Sequence, residues 1–527
     1  MSVGEGGSAT VRLAELLAVL ALGADLGMGQ PMDHALRQCA IGQRIGARLG
    51  LPPRELSNVY YVSLLAWVGC HIDAYEQAKW FGDDLALKGG FRQVDPVGVR
   101  AAGQLLGKVG GGRRGVARAG VLARFVAGGA RDAMNMLHNH AYAAEQLAAQ
   151  LGLPAPVGEA VVQTFERFDG KGAPLGRTGT DIALPARVVN LADVLAVFHG
   201  AGGPDAAIAI ARQRSGSQFD PELVGLVAAD RDPVFAGLDV AATWAAVIDA
   251  DPAPGAPLAA GQLDAALEAI ADFADLKSPY TLGHTRAVAD TVTAAAAALA
   301  WSSADIRHVR RAALLHDIGR LGVSNGIWDK SGPLTPTELE RIRLHPYLTD
   351  RMLAASPGLA AYGATAAQHH ERLDGSGYPH GLRGDALSAA GRLLAVADTY
   401  VAKREPRPHR LALSAAQAAT HVRGEVTAGR LDADSVEAVL QAAGHPKLRR
   451  REWPAGLTTR EVEVLRLLAR GLPNKRIAER LVIARKTVDN HVEHIYSKIG
   501  VSNRARASLF AVRSGLMTPA EDGQYTP

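Results

Sequence analysis

At 527 residues the chain exceeds what one hydrophobic core usually serves, so several domains are expected. Hydrophobic residues at 48% with 21% charged exclude a disordered or fibrous chain, and 5% aromatics beside abundant Ala and Leu predict an all-α protein. Only Cys39 and Cys70 occur, which excludes a disulfide framework or a cysteine-rich zinc site. The net charge of +4 is uneven: residues 447–516 hold 16 Lys plus Arg against 6 Asp plus Glu, leaving a mildly acidic remainder, so a polyanionic partner is expected for the tail alone.

The apolar stretch from Val11 to Met28 comes first. Glu15 and Asp25 interrupt it and no basic start or cleavage pattern accompanies it, so it predicts a core helix, and with it a cytoplasmic protein without membrane contact. Two Pro/Gly/Ala-rich or basic stretches, 231–258 and 445–456, read as linkers. They divide the chain into 9–230, 259–444 and 457–520.

The first two segments are copies of one another. At an offset of 250, Leu64-Leu65-Ala66-Trp67-Val68-Gly69 falls on Leu314-Leu315-His316-Asp317-Ile318-Gly319, and His34 on His284. At an offset of 205, His140 falls on His345, Glu166 through Pro174 on Glu371 through Pro379, and Arg187 through Asp193 on Arg392 through Asp398. A further likeness joins Phe219 through Val224 to Leu431 through Val436. Between the blocks, the Gly- and Arg-rich residues 84–130 read as a loop-containing insertion.

In the second copy, His284, His316, Asp317, His345, His369, His370 and Asp398 concentrate where helices are expected. Imidazoles and carboxylates together suit divalent iron, manganese or zinc, and an Asp beside a His lets one carboxylate bridge two ions. Paired ions can clamp a phosphodiester and activate water. Burying these groups without metal or partners would cost several kcal/mol. Asp374 and its glycines are also explained by turn chemistry, and Glu371 by orienting the imidazoles.

These residues, with Leu-Leu-His-Asp-Ile-Gly, His345-Pro346, His369-His370-Glu371-Arg372-Leu373-Asp374-Gly375-Ser376-Gly377-Tyr378-Pro379 and Val396-Ala397-Asp398, resemble the HD-GYP family of the HD superfamily. The resemblance implies a binuclear centre held by the seven His and Asp residues, with Arg320 and the loop Gly377-Tyr378-Pro379 at the substrate. It also implies hydrolysis of a cyclic dinucleotide such as cyclic di-GMP. Three positions depart from the family: Arg320 replaces Lys, Val401 replaces an acidic residue, and Tyr280 stands where a carboxylate would serve a third ion. In the first copy, Ala66-Trp67 and Thr164-Phe165 replace the His-Asp and His-His pairs and Ala173 replaces the loop Tyr. Only His34, His140 and Asp193 survive, which predicts a noncatalytic scaffold or sensing domain; His71 and Asp73 read as a satisfied pair at a helix end.

From Leu457 the apolar period becomes helical through Val462, Leu465, Ile477, Leu481, Val488, Val492, Ile495 and Ile499, with a further helix from about Arg504. Thr458 with Glu461 forms a capping box, and Gly500 ends the third helix. Leu457 through Leu465, Asn474 through Ala478 and Thr487 through Lys498 resemble the LuxR-type helix-turn-helix. This implies double-stranded DNA as partner and a homodimer on paired half-sites. The recognition helix would span 485–499, with Lys486, Thr487, Asn490 and His491 toward the major groove and Lys475, Arg476 and Lys498 near phosphates. Ala484 stands where the family often has a capping Ser. Two functional readings stay open: a regulator whose second copy hydrolyses a cyclic dinucleotide, and a sensor that binds metal and nucleotide without turnover.

Overall fold

The computed structural model describes residues 10–517 apart from 92–94, 96, 98, 239, 253–256, 447–452 and 482. The chain forms two compact units, Met1–Pro446 and Lys447–Pro527, and among the described residues the only regular elements are helices. The first copy begins with α1 (Leu13–Gly27), α2 (His34–Arg48), α3 (Pro53–Leu65) and α4 (Ala74–Phe81). The insertion follows as α5 (Asp84–Phe91), α6 (Val99–Lys108) and α7 (Gly115–Arg124). The copy is completed by α8 (Ala130–Gln150), α9 (Ala155–Val161), α10 (Leu184–Gln213) and α11 (Pro221–Ala229).

Short helices α12 (Arg231–Phe235) and α13 (Val240–Asp249) precede α14 (Ala260–Asp275), α15 (His284–Ala298), α16 (Ser303–Leu315), α17 (Asn325–Trp328) and α18 (Pro336–Arg343). The second copy then runs through α19 (His345–Leu353), α20 (Pro357–Ala366), α21 (Ala389–Arg404), α22 (Ala415–Thr427) and α23 (Ala433–Ala442). The tail holds α24 (Thr459–Ala469), α25 (Asn474–Leu481), α26 (Arg485–Ile499) and α27 (Arg504–Arg513).

The stretch Val11 to Met28 is a buried core helix, α1. The one described helix long and apolar enough to cross a membrane is α10, whose backbone breaks at Gly202 and Gly203 and whose first half is buried. Two readings are corrected and a third is refined. Residues 231–258 are not a bare linker: Arg44 donates to the Val234 carbonyl and the Tyr60 hydroxyl to the Val247 carbonyl, both at 2.9 Å, so α12 and α13 pack on the first copy. The insertion is helical, built around Phe81, Leu87, Val109, Val121 and Phe125. The two copies are not separate bodies but share one hydrophobic core, in which His71 Nε2 lies 2.8 Å from the Phe273 carbonyl and Ser356 donates to Glu15. The basic run Lys447 through Arg451 lies outside the described residues.

Both copies repeat the same structural joints. Asp25 accepts the Ala35 N–H at 2.9 Å, and Asp275 the Thr285 N–H at 2.8 Å. Asp220 and Asp432 cap α11 and α23, and Arg187 and Arg392 reach toward those caps at 2.5 and 3.9 Å. Gly69 and Gly319 sit where helices touch: a Cβ on them would fall 2.3 Å from the His140 carbonyl oxygen and 2.0 Å from that of His345. Gly319→Ala is therefore expected to cost about 1–3 kcal/mol through forced displacement, whereas Gly261→Ala, exposed on α14 with open space around it, stabilises by up to about 1 kcal/mol. Thermal unfolding of the two variants should shift in opposite directions; a shared direction would contradict the close approach.

Candidate metal centre and nucleic-acid interface

Helix ends deliver most of the second copy's polar groups. His284 opens α15 behind Gly283, whose φ of 76° suits glycine. His316 and Asp317 leave the last turn of α16, His345 opens α19, and His369 and His370 occupy a 3-10 turn at Ala367–His370. Asp398 projects from the middle of α21. The structure brings all seven together.

Asp317 stands at the centre. Its Oδ2 lies 3.1 Å from His316 Nε2 and 3.5 Å from His284 Nε2, while Oδ1 lies 3.4 Å from His345 Nε2 and 3.6 Å from His369 Nε2. Asp398 repeats the division, with Oδ1 3.3 Å from His284 Nε2 and Oδ2 3.8 Å from His370 Nδ1. His345, His369 and His370 form one set whose donor atoms lie within 4.8 Å of one another; His284, His316 and Asp398 form another.

The donor chemistry fits divalent cations. His316, His345 and His369 donate Nδ1–H to the carbonyls of Ala313, Ile342 and Ala366 at 2.7, 2.6 and 2.7 Å, which leaves each Nε2 a lone pair. His345 Nε2 and His369 Nε2 then face each other at 3.0 Å, a repulsive arrangement that an intervening cation relieves. His284 Nε2, His316 Nε2 and both Asp317 oxygens are buried without a hydrogen-bond partner.

Burial lowers His345 to about 4 and His369 to about 3, keeping them neutral. Burial would raise Asp317, but Arg320 and the imidazoles hold its carboxyl well below the usual range. His284 runs the other way: burial is overcome by Asp317, Asp398 and Glu405, which raise it. Three carboxylates converging on one ring suit a cation.

A cavity of about 660 Å³ opens over Asp317, His370 and Asp398. Arg320 and Arg407 supply positive charge to its wall, and Trp328 and Tyr378 supply aromatic faces. Tyr378 stacks toward His370 at 4.8 Å between ring centroids. Of the loop expected at substrate, Tyr378 alone lines this cavity; Gly377 is a packing glycine, where a Cβ would meet the Arg372 nitrogen at 2.4 Å, and Pro379 lies beyond the wall. Arg320 lines the cavity but also lies 2.9 Å from Asp317 Oδ2, with its guanidinium 4.7 Å over the Trp328 ring. Glu371 does not orient the imidazoles; it accepts the N–H groups of His380 and Leu382 at 2.7 and 2.9 Å and so shapes the loop.

Glu405 was missed in the sequence. It lies 2.9 Å from His284 Nδ1 and is held by Arg407, whose other arm donates to the Tyr280 carbonyl. Extending the 205-residue offset past Asp398 would have flagged it, since Glu405 falls on Gly200.

The first copy closes the same space with aromatics. Trp67 and Phe165, at the positions of Asp317 and His370, pack edge to face at 5.3 Å, and Trp67 donates to Gln38. His34 pairs with Asp193 at 2.7 Å and His140 with Asp73 at 2.6 Å. His71 and Asp73 thus find different partners rather than each other.

In the tail, Leu457, Val462, Leu465, Ile477, Val488 and Ile495 form the core. The expected recognition helix is α26, which begins after Ala484 without a side-chain cap and ends at Gly500 in the left-handed region. Lys486, Thr487 and Asn490 are exposed on it and His491 is half-buried, while Lys475 and Arg476 are exposed on α25. Lys498 is exposed on the same helix, and its Nζ pairs with Glu461 at 2.7 Å.

Two helical copies, the second gathering His and Asp at one centre, followed by a helix-turn-helix, define an HD-domain protein with a LuxR-type tail. The HD domain matches residues 130–223 and 268–434, and the luxR family of bacterial regulatory proteins matches 455–511. The chain belongs to the HD-GYP family of HD-domain proteins and carries a LuxR-type helix-turn-helix.

It is 32% identical over 408 residues to 3'3'-cGAMP-specific phosphodiesterase 3 of Vibrio cholerae, covering 77% of this chain and 89% of that protein. A cyclic di-GMP phosphodiesterase of Pseudomonas aeruginosa is 38% identical over 140 residues, 26% of this chain and 34% of that one. The crystal structure of a cyclic GMP-AMP-specific phosphodiesterase of V. cholerae superposes with a TM-score of 0.58 at 27% identity, covering 82% of this chain and 98% of the other.

Glu461 yields a pH prediction. Burial would raise its carboxyl, but Lys498 and Thr458 outweigh that and lower it. A depressed carboxyl contributes stability above its unfolded value of about 4.3, which is lost as pH falls through the lower folded value. The tail's unfolding transition in the full chain should therefore weaken below about pH 4.3, and Glu461→Gln should cost about 1 kcal/mol at neutral pH while flattening that acid dependence. An unchanged acid limb in the variant would refute the pairing.

Proposed function

We propose that the second copy is a two-metal phosphodiesterase for a cyclic dinucleotide and that the chain couples this site to DNA binding as a transcriptional regulator. The observation that carries the reading is Asp317, whose two oxygens face two separate imidazole sets. His284, His316, Asp398 and Asp317 Oδ2 would hold one ion; His345, His369, His370 and Asp317 Oδ1 would hold the other. Bound divalent ions supply Lewis acidity and bring the pKa of water toward neutrality. The mixed donor set suits iron, manganese or zinc.

The chain's own residues do the rest. Backbone carbonyls fix the imidazole tautomers, and Glu405 orients His284. Arg320 and Arg407 favour an anionic ligand in the cavity, with Tyr378 and Trp328 offering faces to bases. Likeness across both copies to a 3'3'-cGAMP-specific enzyme favours that dinucleotide over cyclic di-GMP. Arg320 on Asp317 is the one observation favouring a sensor that binds metal and nucleotide without turnover.

Purified protein is expected to carry divalent metal and to hydrolyse 3'3'-cGAMP. His316→Ala and Asp317→Ala should lose metal by elemental analysis and reduce turnover by at least about 100-fold. Stoichiometric metal with nucleotide bound but never cleaved would instead establish the sensor.

The tail would read double-stranded DNA as a homodimer in the cytoplasm, with α26 in the major groove. On a duplex selected from a random library, Lys486→Ala and Asn490→Ala should each cost about 1–3 kcal/mol of binding in gel shifts. Arg476→Ala should weaken all duplexes alike and reduce the salt slope. Wild-type affinity in both recognition-helix variants would move the reading surface elsewhere.

A further inference from the structure

We propose that Asp84, in the copy that has lost most of its ligands, is a positioning residue for the nucleotide cavity of the other copy; the assignment rests on the cyclic-dinucleotide reading above. Asp84 opens α5 and is fully buried. Its Oδ1 accepts from Ser324 Oγ at 2.7 Å and from the Asn325 N–H at 2.8 Å. Its Oδ2 faces two ammonium groups, Lys88 at 3.5 Å and Lys277 at 3.8 Å. One carboxylate thus joins the insertion to two separate strips of the second copy.

Those strips are the cavity wall. Lys277, Ser278, Asn325, Ile327, Trp328 and Asp329 all line it. They are also tied to one another: Asn325 Nδ2 donates to the Lys277 carbonyl and to Asp329, and Ser278 to Asp329, each at 2.7 Å. Trp328 carries the wall to the metal centre, with its ring 5.4 Å from that of His345.

A second contact acts at the same seam. Gly326 lies against the carbonyl of Gly82, just before α5, so closely that a Cβ would fall 1.8 Å from that oxygen. Two buried ammonium groups on one carboxylate make the joint sensitive, because an amide at position 84 keeps an acceptor for Ser324 and Asn325 but removes the carboxylate that Lys88 and Lys277 share. The copy that has lost most of its ligands is retained, on this view, because it braces the wall its partner uses.

The test uses the full chain with Asp84→Asn, Gly326→Ala and the milder Ser324→Ala. Asp84→Asn and Gly326→Ala should raise KM for 3'3'-cGAMP about tenfold or more, with kcat within about twofold, since misplacing a binding wall by a fraction of an ångström weakens binding before chemistry. Ser324→Ala should raise KM about threefold. Metal per chain should be unchanged, and amide hydrogen exchange across 324–330 should quicken.

If Asp84→Asn does not fold, the other two variants decide. Wild-type KM and exchange in them, or losses that merely track metal content and melting temperature, would overturn the proposal. A wild-type chain that neither binds nor cleaves 3'3'-cGAMP or cyclic di-GMP would refute the dinucleotide reading instead, while exchange across 324–330 would still decide whether Asp84 holds that wall.

Discussion

A carboxylate removed from water is unstable unless positive charge or hydrogen-bond donors surround it. Asp317 is buried with four imidazoles around it, and the second copy is arranged to make that tolerable. Four imidazoles reach it from helix ends or a 3-10 turn, where the chain is free to change direction, while Asp398 comes from a helix interior. Gly319 lets α19 approach closely enough for His345 to face Oδ1. Carbonyls hold three Nδ1 atoms as donors, so the Nε2 lone pairs converge instead of the protons. Removing any one joint leaves unpaired groups in a dry interior, which is why scaffold and centre are difficult to separate there.

The first copy separates them. It keeps the Asp25 joint, the Gly69 crossing, the Glu166 contacts to the N–H groups of Leu175 and Gly176, and the capping Asp220. It loses the central carboxylate, and the space is closed by Trp67 against Phe165. The fold therefore does not need the ions, and retention of the fold says nothing about chemistry. Ligand identity, residue by residue, carries the functional claim.

Much of this was legible in the sequence because it is local or repeated. The seven His and Asp positions stand out against a copy that lacks most of them, and α26 is bounded as its apolar period and Gly500 predict. What escaped depends on distant partners. Glu371 reads as a neighbour of the imidazoles, yet its carboxylate turns to backbone nine and eleven residues on. Lys498 reads as a surface cation, yet Glu461 meets it 37 residues away in sequence. Asp84 lies in a segment without a counterpart, and its hydrogen-bond donors Ser324 and Asn325 are 240 and 241 residues distant, so no period or offset could reveal it. The helices within 231–258 were hidden by Pro233, which lies inside α12, and by the prolines that follow α13 in sequence.

Coupling a nucleotide site to a DNA reader imposes a thermodynamic condition independent of distance: the nucleotide shifts DNA binding only as far as its affinity differs between the two states, and DNA shifts nucleotide affinity by the same factor. A hydrolytic site adds a kinetic element, because each bound signal is destroyed and the shifted state lasts only as long as occupancy exceeds turnover. A tight, slow site would hold the regulated state; a loose, fast one would track the rising and falling concentration of the signal. Under the proposed function, the wall braced by Asp84 would set the first quantity and the Asp317 centre the second, so the two copies would divide between them the terms that fix how long a signal is read.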